Sequence, residues 1–74
     1  MDKPRKRSIT IAGHATSISL EAPFWNALKE IANHQKMSPQ DLIAEIDNAK
    51  RMASLSSAIR VYILSWYQDK ERQT

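Results

Sequence analysis

The sequence contains no cysteine, which removes two common ways of stabilising a small protein. Disulfides and thiolate metal sites are both excluded. The two histidines, His14 and His34, stand far apart and have no acidic partners at ligand spacing, so we expect neither a metal nor a cofactor. A monomer of 74 residues buries a small fraction of its surface. Self-association is the remedy that remains, and the sequence therefore predicts a homodimer.

Long apolar runs and catalytic motifs are absent as well. No apolar stretch approaches the ~20 residues needed to cross a bilayer, and none follows the basic N-terminus as in a secretory signal. We therefore expect a cytoplasmic protein without membrane contact. The single glycine excludes a glycine-rich phosphate loop, and no paired-carboxylate site or nucleophile motif is present. The sequence thus predicts a protein that is not an enzyme.

Positive charge is concentrated at the N-terminus, where Asp2 opposes four basic residues: Lys3, Arg5, Lys6 and Arg7. Between Glu21 and Asp47 acidic residues outnumber basic ones. A basic segment on a mildly acidic body favours a polyanionic partner, chiefly nucleic acid. The alternative is a solvated tail that only aids solubility. We predict a flexible basic arm over residues 1–7 and a single domain over residues 8–70.

Residues 8–21 show the alternation of a β-strand, with two apolar pairs, Ile9 with Ile11 and Ile18 with Leu20. The step from Ile11 to Ile18 is odd, so one uninterrupted strand would point the pairs to opposite faces. Gly13 is the natural place for a break. The pattern leaves two alternatives open: one long bulged strand, or a hairpin with Ala12 to Ala15 at its tip.

Three helices follow in the sequence pattern. The first is expected from Pro23 to about His34, with Phe24, Leu28 and Ile31 on one face. After a turn over residues 33–37, Ser38 caps the second helix, with Pro39 at its first position and Asp41 three residues after the cap. That helix carries Leu42, Ile43 and Ile46, and ends near Ala49 or continues to Met52.

The third helix is expected to start at Ser54 or Ser56 and to reach about Gln68. Its apolar face consists of Leu55, Ile59, Tyr62, Ile63 and Trp66. Aromatic residues at helical spacing indicate packing rather than a platform for base stacking, which normally lies on a sheet face or in a groove. We expect this helix to enlarge the dimer interface.

The order of strand, helix, turn and capped helix resembles the ribbon-helix-helix family. The match is most specific over TSISLEAPFWNALKEIANHQKMSPQDLIAEI, residues 16–46. The flanking segments KRSITIAGH and SLSSAIRVYIL are similar to those of a small bacterial subfamily, and extend the resemblance over residues 5–67. The fold it implies is mostly α with a short N-terminal β-ribbon, in an intertwined homodimer with an intermolecular antiparallel sheet. A second copy would supply the mate that one strand needs.

The resemblance also implies a function, that of a DNA-binding transcriptional regulator. In this family the ribbon enters the major groove of double-stranded DNA, and the N-terminus of the second helix meets a phosphate. Carried onto this sequence, the expected DNA-binding residues are Arg5, Lys6, Arg7, His14, Ser17, Ser19, Lys36 and Ser38. The expected dimer core consists of Ile18, Leu20, Phe24, Leu28, Ile31, Leu42, Ile46, Ile59 and Ile63.

Two departures from the family pattern stand out. Ser17 and Ser19 are shorter than the usual groove residues and discriminate bases weakly, so specificity would rest on the arm and His14 or be low. Lys36 stands where the family often has glycine, and a left-handed backbone there costs about 1 kcal/mol. The alternative function is a dimeric protein-interaction module, antitoxin-like or adaptor, that does not bind DNA. Only a few residues follow Tyr67, which disfavours a toxin-binding tail.

Overall fold

The computed structural model describes residues 3–11, 13–49 and 54–72. Five elements follow one another along the chain: β1 (Arg5–Ile11), β2 (His14–Leu20), α1 (Ala22–His34), α2 (Pro39–Ala49) and α3 (Leu55–Arg72). An antiparallel β-ribbon followed by three helices is the fold class that the sequence predicts, and it is confirmed.

The ribbon is a hairpin within one chain. β1 pairs with β2 in the register that sets Ile11 opposite His14 and Arg5 opposite Leu20. Only two residues separate the strands, and Gly13 has a φ of 81°, a left-handed conformation that favours glycine. A tight loop reverses the chain, so the two apolar pairs meet on one face despite their odd spacing. The hairpin alternative is therefore the one adopted, with a shorter tip than expected. Ala12 lies outside the described residues.

The strand begins earlier than the sequence analysis predicts. Arg5, Lys6 and Arg7 belong to β1, because the register carries them alongside the last three residues of β2. These residues are therefore part of the sheet and not of a flexible arm. Alternation turns Lys6 to one face and the two arginines to the other, which separates their charges.

β1 of the same chain pairs with β2, so the hairpin does not depend on a second copy for the mate of this strand. The intermolecular sheet and the homodimer stay predictions.

The core lies between one face of the hairpin and the three helices. Eight of the nine residues expected in the dimer core are buried within the single chain, and Phe24 is half-buried against them. Ile9, Ala32, Ile43 and Ala58 complete the buried set. The apolar faces of α1, α2 and α3 thus meet the inner face of the hairpin, as amphipathic elements must when they share one core.

The helix ends agree closely with their sequence signals. In α2, Ser38 Oγ accepts the N–H of Asp41 at 3.0 Å, which confirms the predicted cap. Ser54 caps α3 in the same way, through the N–H of Ser57 at 3.3 Å. α3 continues to Arg72, about one turn beyond the expected end. The alternative end of α2 at Met52 lies outside the described residues.

The turn between α1 and α2 confirms the expected left-handed position. Lys36 has a φ of 59°. The N–H of Met37 donates to the carbonyl of Ala32 at 2.9 Å, and that of Lys36 to Asn33 at 3.1 Å. These two bonds form a Schellman motif, which normally uses glycine at the left-handed residue. Because Lys36 has a Cβ, its left-handed backbone conformation is strained.

Over the part of the chain that the structure describes, no helix has both the length and the apolar character required to cross a membrane.

Candidate nucleic-acid interface

The outer face of the hairpin, turned away from the helices, is polar except for Ala15. Three cross-strand pairs form it: Lys6 with Ser19, Ser8 with Ser17, and Thr10 with Ala15. All six residues are exposed. Both strands contain no acidic residue, so Lys6 meets no opposing charge on this face. The result is an exposed surface with four hydroxyl groups and one cation, a composition suited to phosphates and base edges.

Arg7 lies on the opposite, inner face and is engaged there. Its guanidinium carbon lies 4.5 Å from the centre of the Trp25 ring, a cation–π contact. Its Nε is buried and has no hydrogen-bond partner among the described residues. Arg7 is thus held by α1 and does not project from the outer face.

Arg5 and His14 share the phase of Arg7 along their strands and are exposed at the two ends of the hairpin. Of the residues expected to bind DNA, the outer face therefore brings together Lys6, Ser17 and Ser19. Arg5, Arg7 and His14 lie on the side of the sheet that faces the helices.

The N-terminus of α2 lies beside the free edge of β1. Gln40, in the first turn of α2, accepts the backbone N–H of Thr10 through its Oε1 at 3.3 Å. This contact brings Lys36 and Ser38, both exposed, to the same side of the molecule as the β1 edge. The sheet and the α2 terminus can therefore meet one extended ligand together.

The donors at this helix terminus are few. Pro39 has no N–H, the N–H of Asp41 is taken by Ser38 Oγ, and that of Leu42 by the Ser38 carbonyl. Within the described residues, this leaves the N–H of Gln40 without a partner in the first turn. A phosphate at α2 would thus meet one backbone N–H, the Ser38 hydroxyl and the positive end of the helix dipole.

α3 secures the other end of the sheet. Arg60 donates from Nε and Nη2 to Oε1 of Glu21, at 3.0 and 2.9 Å, and from Nη2 to the Ser19 carbonyl at 3.3 Å. The backbone N–H of Glu21, followed by Arg60, lowers the pKa of the Glu21 carboxyl from its ordinary value of 4.5. Because Glu21 is paired in this way, its charge is compensated beside the outer face.

Ser8 and Thr10 are outer-face residues that the sequence analysis did not select. The signal that reveals them is the polar phase of β1, opposite to Ile9 and Ile11. The sequence does not show which face of the sheet these polar residues occupy unless the hairpin is chosen over the bulged strand. Only the hairpin places Ser8 opposite Ser17.

A second surface lies along the middle of α3. Val61 and Leu64 are 44% and 56% exposed, and Tyr67 is 38% exposed with its hydroxyl 3.2 Å from Glu30 Oε2. Nearby, Trp66 packs edge-on against His34 and Tyr67. Among the described residues, no three acidic or histidine side chains gather as a metal site would require.

The family model of the ribbon-helix-helix domain matches residues 4–67. A search of curated proteins found no match. Among solved structures, an uncharacterized protein from Bordetella pertussis Tohama I is similar, with a TM-score of 0.78 and 29% sequence identity. The match covers 95% of this chain and 60% of that one, so the chain spans less than two thirds of the length of this relative.

The family model covers most of the chain, and its members generally bind DNA in transcription regulators. The match includes the hairpin, α1, the capped α2 and most of α3. The protein therefore belongs to the ribbon-helix-helix domain family.

Proposed function

We propose that this protein is a homodimeric transcriptional regulator that binds double-stranded DNA with the outer face of its hairpin in the major groove. The observation that carries the proposal is the composition of that face. Six exposed residues include one lysine, four hydroxyl side chains and no carboxylate, while the opposite face contributes Ile9, Ile18 and Leu20 to the core. A polar, cationic sheet face opposite a packed one is what groove binding requires.

The N-terminus of α2 holds a phosphate in this proposal. The N–H of Gln40 and the Ser38 hydroxyl donate to it, and the Lys36 ammonium lies nearby. The Gln40 side chain supports the arrangement, since its bond to Thr10 keeps the helix terminus beside the sheet. Such contacts set the position of the protein on the duplex but do not read its sequence.

Base reading rests on short side chains. Ser17 and Ser19 from β2 are joined by Ser8 and Thr10 from β1, and hydroxyl groups donate to or accept from any base. We therefore expect modest sequence preference, with Lys6 providing salt-dependent affinity. A cytoplasmic location accompanies this function.

The test is a titration of fluorescently labelled duplex, followed by anisotropy at several salt concentrations. Each phosphate neutralised contributes about −0.9 to the slope of log K against log salt. Lys6→Ala removes one cation per chain, so the slope of a dimer should become shallower by about 2. Lys29→Ala is the matched control, because Lys29 is exposed on α1, and its slope should match that of the unmodified protein.

No binding at low salt by a protein shown to be folded would overturn the DNA proposal. Equal slopes for the two lysine variants would instead place the DNA on another surface. Arginine variants are less suitable, because replacing Arg7 also removes the contact with Trp25.

A protein-interaction module is the second candidate. The observation that favours it is the exposed apolar pair Val61 and Leu64 on α3, which the core does not use. Under this candidate Leu64→Ser would abolish partner binding, and Lys6→Ala would have no effect on it.

A further inference from the structure

A cleft lies where the last turn of α1 meets the second half of α3. It has a volume of about 320 Å³ and is lined by His34, Trp66, Asp69 and Lys70. Sites for small organic molecules typically have volumes of roughly 300–1,000 Å³. None of the four lining residues belongs to the hairpin, so an occupant of this cleft would lie apart from the surface proposed for DNA.

Aromatic rings form the wall of the cleft. Trp66 is half-buried against the core, and the His34 ring meets it edge-on with 5.4 Å between the ring centres. Tyr67 also meets Trp66 edge-on, at 5.1 Å. Edge-on contacts of this kind hold the indole in one orientation. The cleft therefore presents a fixed aromatic surface against which a further apolar group can pack.

Side-chain hydrogen bonds join the two helices that form the cleft. Gln35 donates from Nε2 to the Tyr62 hydroxyl at 2.8 Å, and the Tyr67 hydroxyl donates to Glu30 Oε2 at 3.2 Å. Both bonds link the C-terminal half of α1 to α3. The cleft is thus formed without a ligand, which lowers the ordering cost of binding one.

Two opposite charges lie beside the indole. Asp69 and Lys70 follow Trp66 by three and four residues, a spacing that places helical side chains on one face. Helical side chains also lean toward the N-terminus of their helix, so both reach back toward Trp66. The Lys70 ammonium lies 5.0 Å from the centre of the indole. Among the described residues, no hydrogen bond or ion pair engages the Asp69 carboxylate, so it is free to meet a ligand.

The part of α3 that carries these charges is not required by the core. Trp66 is the last residue of α3 that packs against the core, yet the helix continues to Arg72. Asp69 and Lys70 are exposed. Ordering these residues costs conformational entropy that core contacts do not offset. Binding a ligand is a role that would account for this last part of the helix.

We propose that the cleft binds a free amino acid with an aromatic side chain. Its carboxylate meets the Lys70 ammonium, its ammonium group meets the Asp69 carboxylate, and its ring packs against Trp66 and His34. A simple anion would be repelled by Asp69 and a simple cation by Lys70, so a zwitterion is the class of ligand that both charges attract. This site goes beyond the proposed DNA binding and does not depend on it.

A second cleft, on α1, shows what distinguishes the proposed site. Asn26, Lys29, Glu30 and Asn33 line it, so it also offers one acidic and one basic side chain. Its described lining residues include no aromatic ring, and Glu30 is already bonded to Tyr67. Opposite charges are present in both clefts, and only the cleft at Trp66 adds an aromatic wall to them.

Titration of isotope-labelled protein with L-phenylalanine, followed by NMR, tests the site. The two tryptophans of the chain give two indole N–H signals. Trp66 lines the cleft, whereas Trp25 lies against Arg7. The Trp66 signal, identified by its loss in Trp66→Phe, should shift and saturate with a Kd on the order of 1 mM, and the Trp25 signal should not move. Absence of a saturable shift at Trp66 overturns the proposal.

Two analogues that each lack one charge test whether the ligand must be a zwitterion. Hydrocinnamate has no ammonium group, and phenethylamine has no carboxylate. Each should bind about threefold more weakly than phenylalanine, because one exposed ion pair is lost. An analogue that binds as tightly as phenylalanine would show that one of the two charges is not used, which overturns the zwitterion.

Variants assign each charge to its residue. Lys70→Gln should weaken phenylalanine binding by about threefold but should not weaken binding of phenethylamine, which has no carboxylate to lose. Asp69→Asn should likewise weaken phenylalanine binding and spare hydrocinnamate. Lys29→Gln removes the same charge from the second cleft and is the matched control.

Equal weakening by Lys29→Gln and Lys70→Gln would show that the cleft at Trp66 is not the binding site. The titrations contain no DNA, so their failure leaves the proposed DNA binding standing. A protein that binds phenylalanine at Trp66 but no duplex would leave this site standing and overturn the DNA proposal.

Discussion

The two strands of the hairpin have the same length and the same alternation, but they carry different chemistry. β1 contains three basic residues and buries only Ile9, whereas β2 contains no lysine, arginine or acidic residue and buries Ile18 and Leu20. α2 covers the β1 edge at Thr10, and α3 covers the β2 edge at Ser19. The comparison shows that one strand can carry the charge of the hairpin while its neighbour anchors the sheet to the core.

The largest expected effect comes from removing the anchor in β2. Leu20 is fully buried, so Leu20→Ala should lower the free energy of unfolding by about 3 kcal/mol. Ile11→Ala is the matched change in β1, where the side chain is half-buried, and it should cost about half as much or less.

Urea unfolding followed by circular dichroism measures both, at one protein concentration, because the stability of a dimer depends on concentration. Equal losses for the two variants would show that the strands share the anchoring role.

A smaller effect is expected from the arginines of β1. Arg7→Ala removes the contact with Trp25 and should lower the free energy of unfolding by about 1 kcal/mol. Arg5→Ala removes the same charge from an exposed position and should change stability by less than about 0.5 kcal/mol. The pair is compared by thermal or urea unfolding. A larger loss for Arg5→Ala would contradict the assignment of Arg7 as the packed arginine.

The smallest effect concerns the junction after β2, and it depends on pH. The pKa of Glu21 is lowered by its own backbone N–H and by Arg60, so the charged carboxylate stabilises the folded state. That stabilisation is fully present above about pH 4.5, the ordinary pKa, and is lost as the pH falls through the lower pKa of the folded protein.

Unfolding measured between pH 7 and pH 3 should therefore show a smaller acid-induced loss for Glu21→Gln than for the unmodified chain. Glu45→Gln removes an exposed carboxyl from α2 and serves as the control. An unchanged acid response in Glu21→Gln would mean that the pair with Arg60 does not contribute.

Much of the fold could be predicted because its signals are local. Ser38 and Pro39 determine where α2 begins by satisfying or removing the N–H groups of its first turn. The spacing of Leu28 and Ile31 likewise identifies the buried face of α1. Even the left-handed residue at Lys36 could be expected, since a turn of this kind ends a helix in a defined backbone conformation.

The candidate site was harder to predict, because the pairing of two strands decides which residues share a face of the sheet and which backbone groups lie at its edge. Arg7 has the same charge as Lys6, and composition alone treats them alike. Register separates them: Lys6 is exposed on the outer face, and Arg7 is stacked on Trp25. Ser8 and Thr10 were overlooked for the same reason, since a strand without a known mate has two equivalent faces.

Local signals in the sequence are enough to identify the family, the order of the three helices, the ends of α1 and the start of α2, because caps, turns and apolar periodicity act over a few residues. Tertiary contacts decide that β1 is the mate of β2, that α3 closes the β2 edge at Ser19, and which basic residues face outward. The physical reason is that these outcomes depend on contacts between segments up to 41 residues apart, which local pattern does not encode.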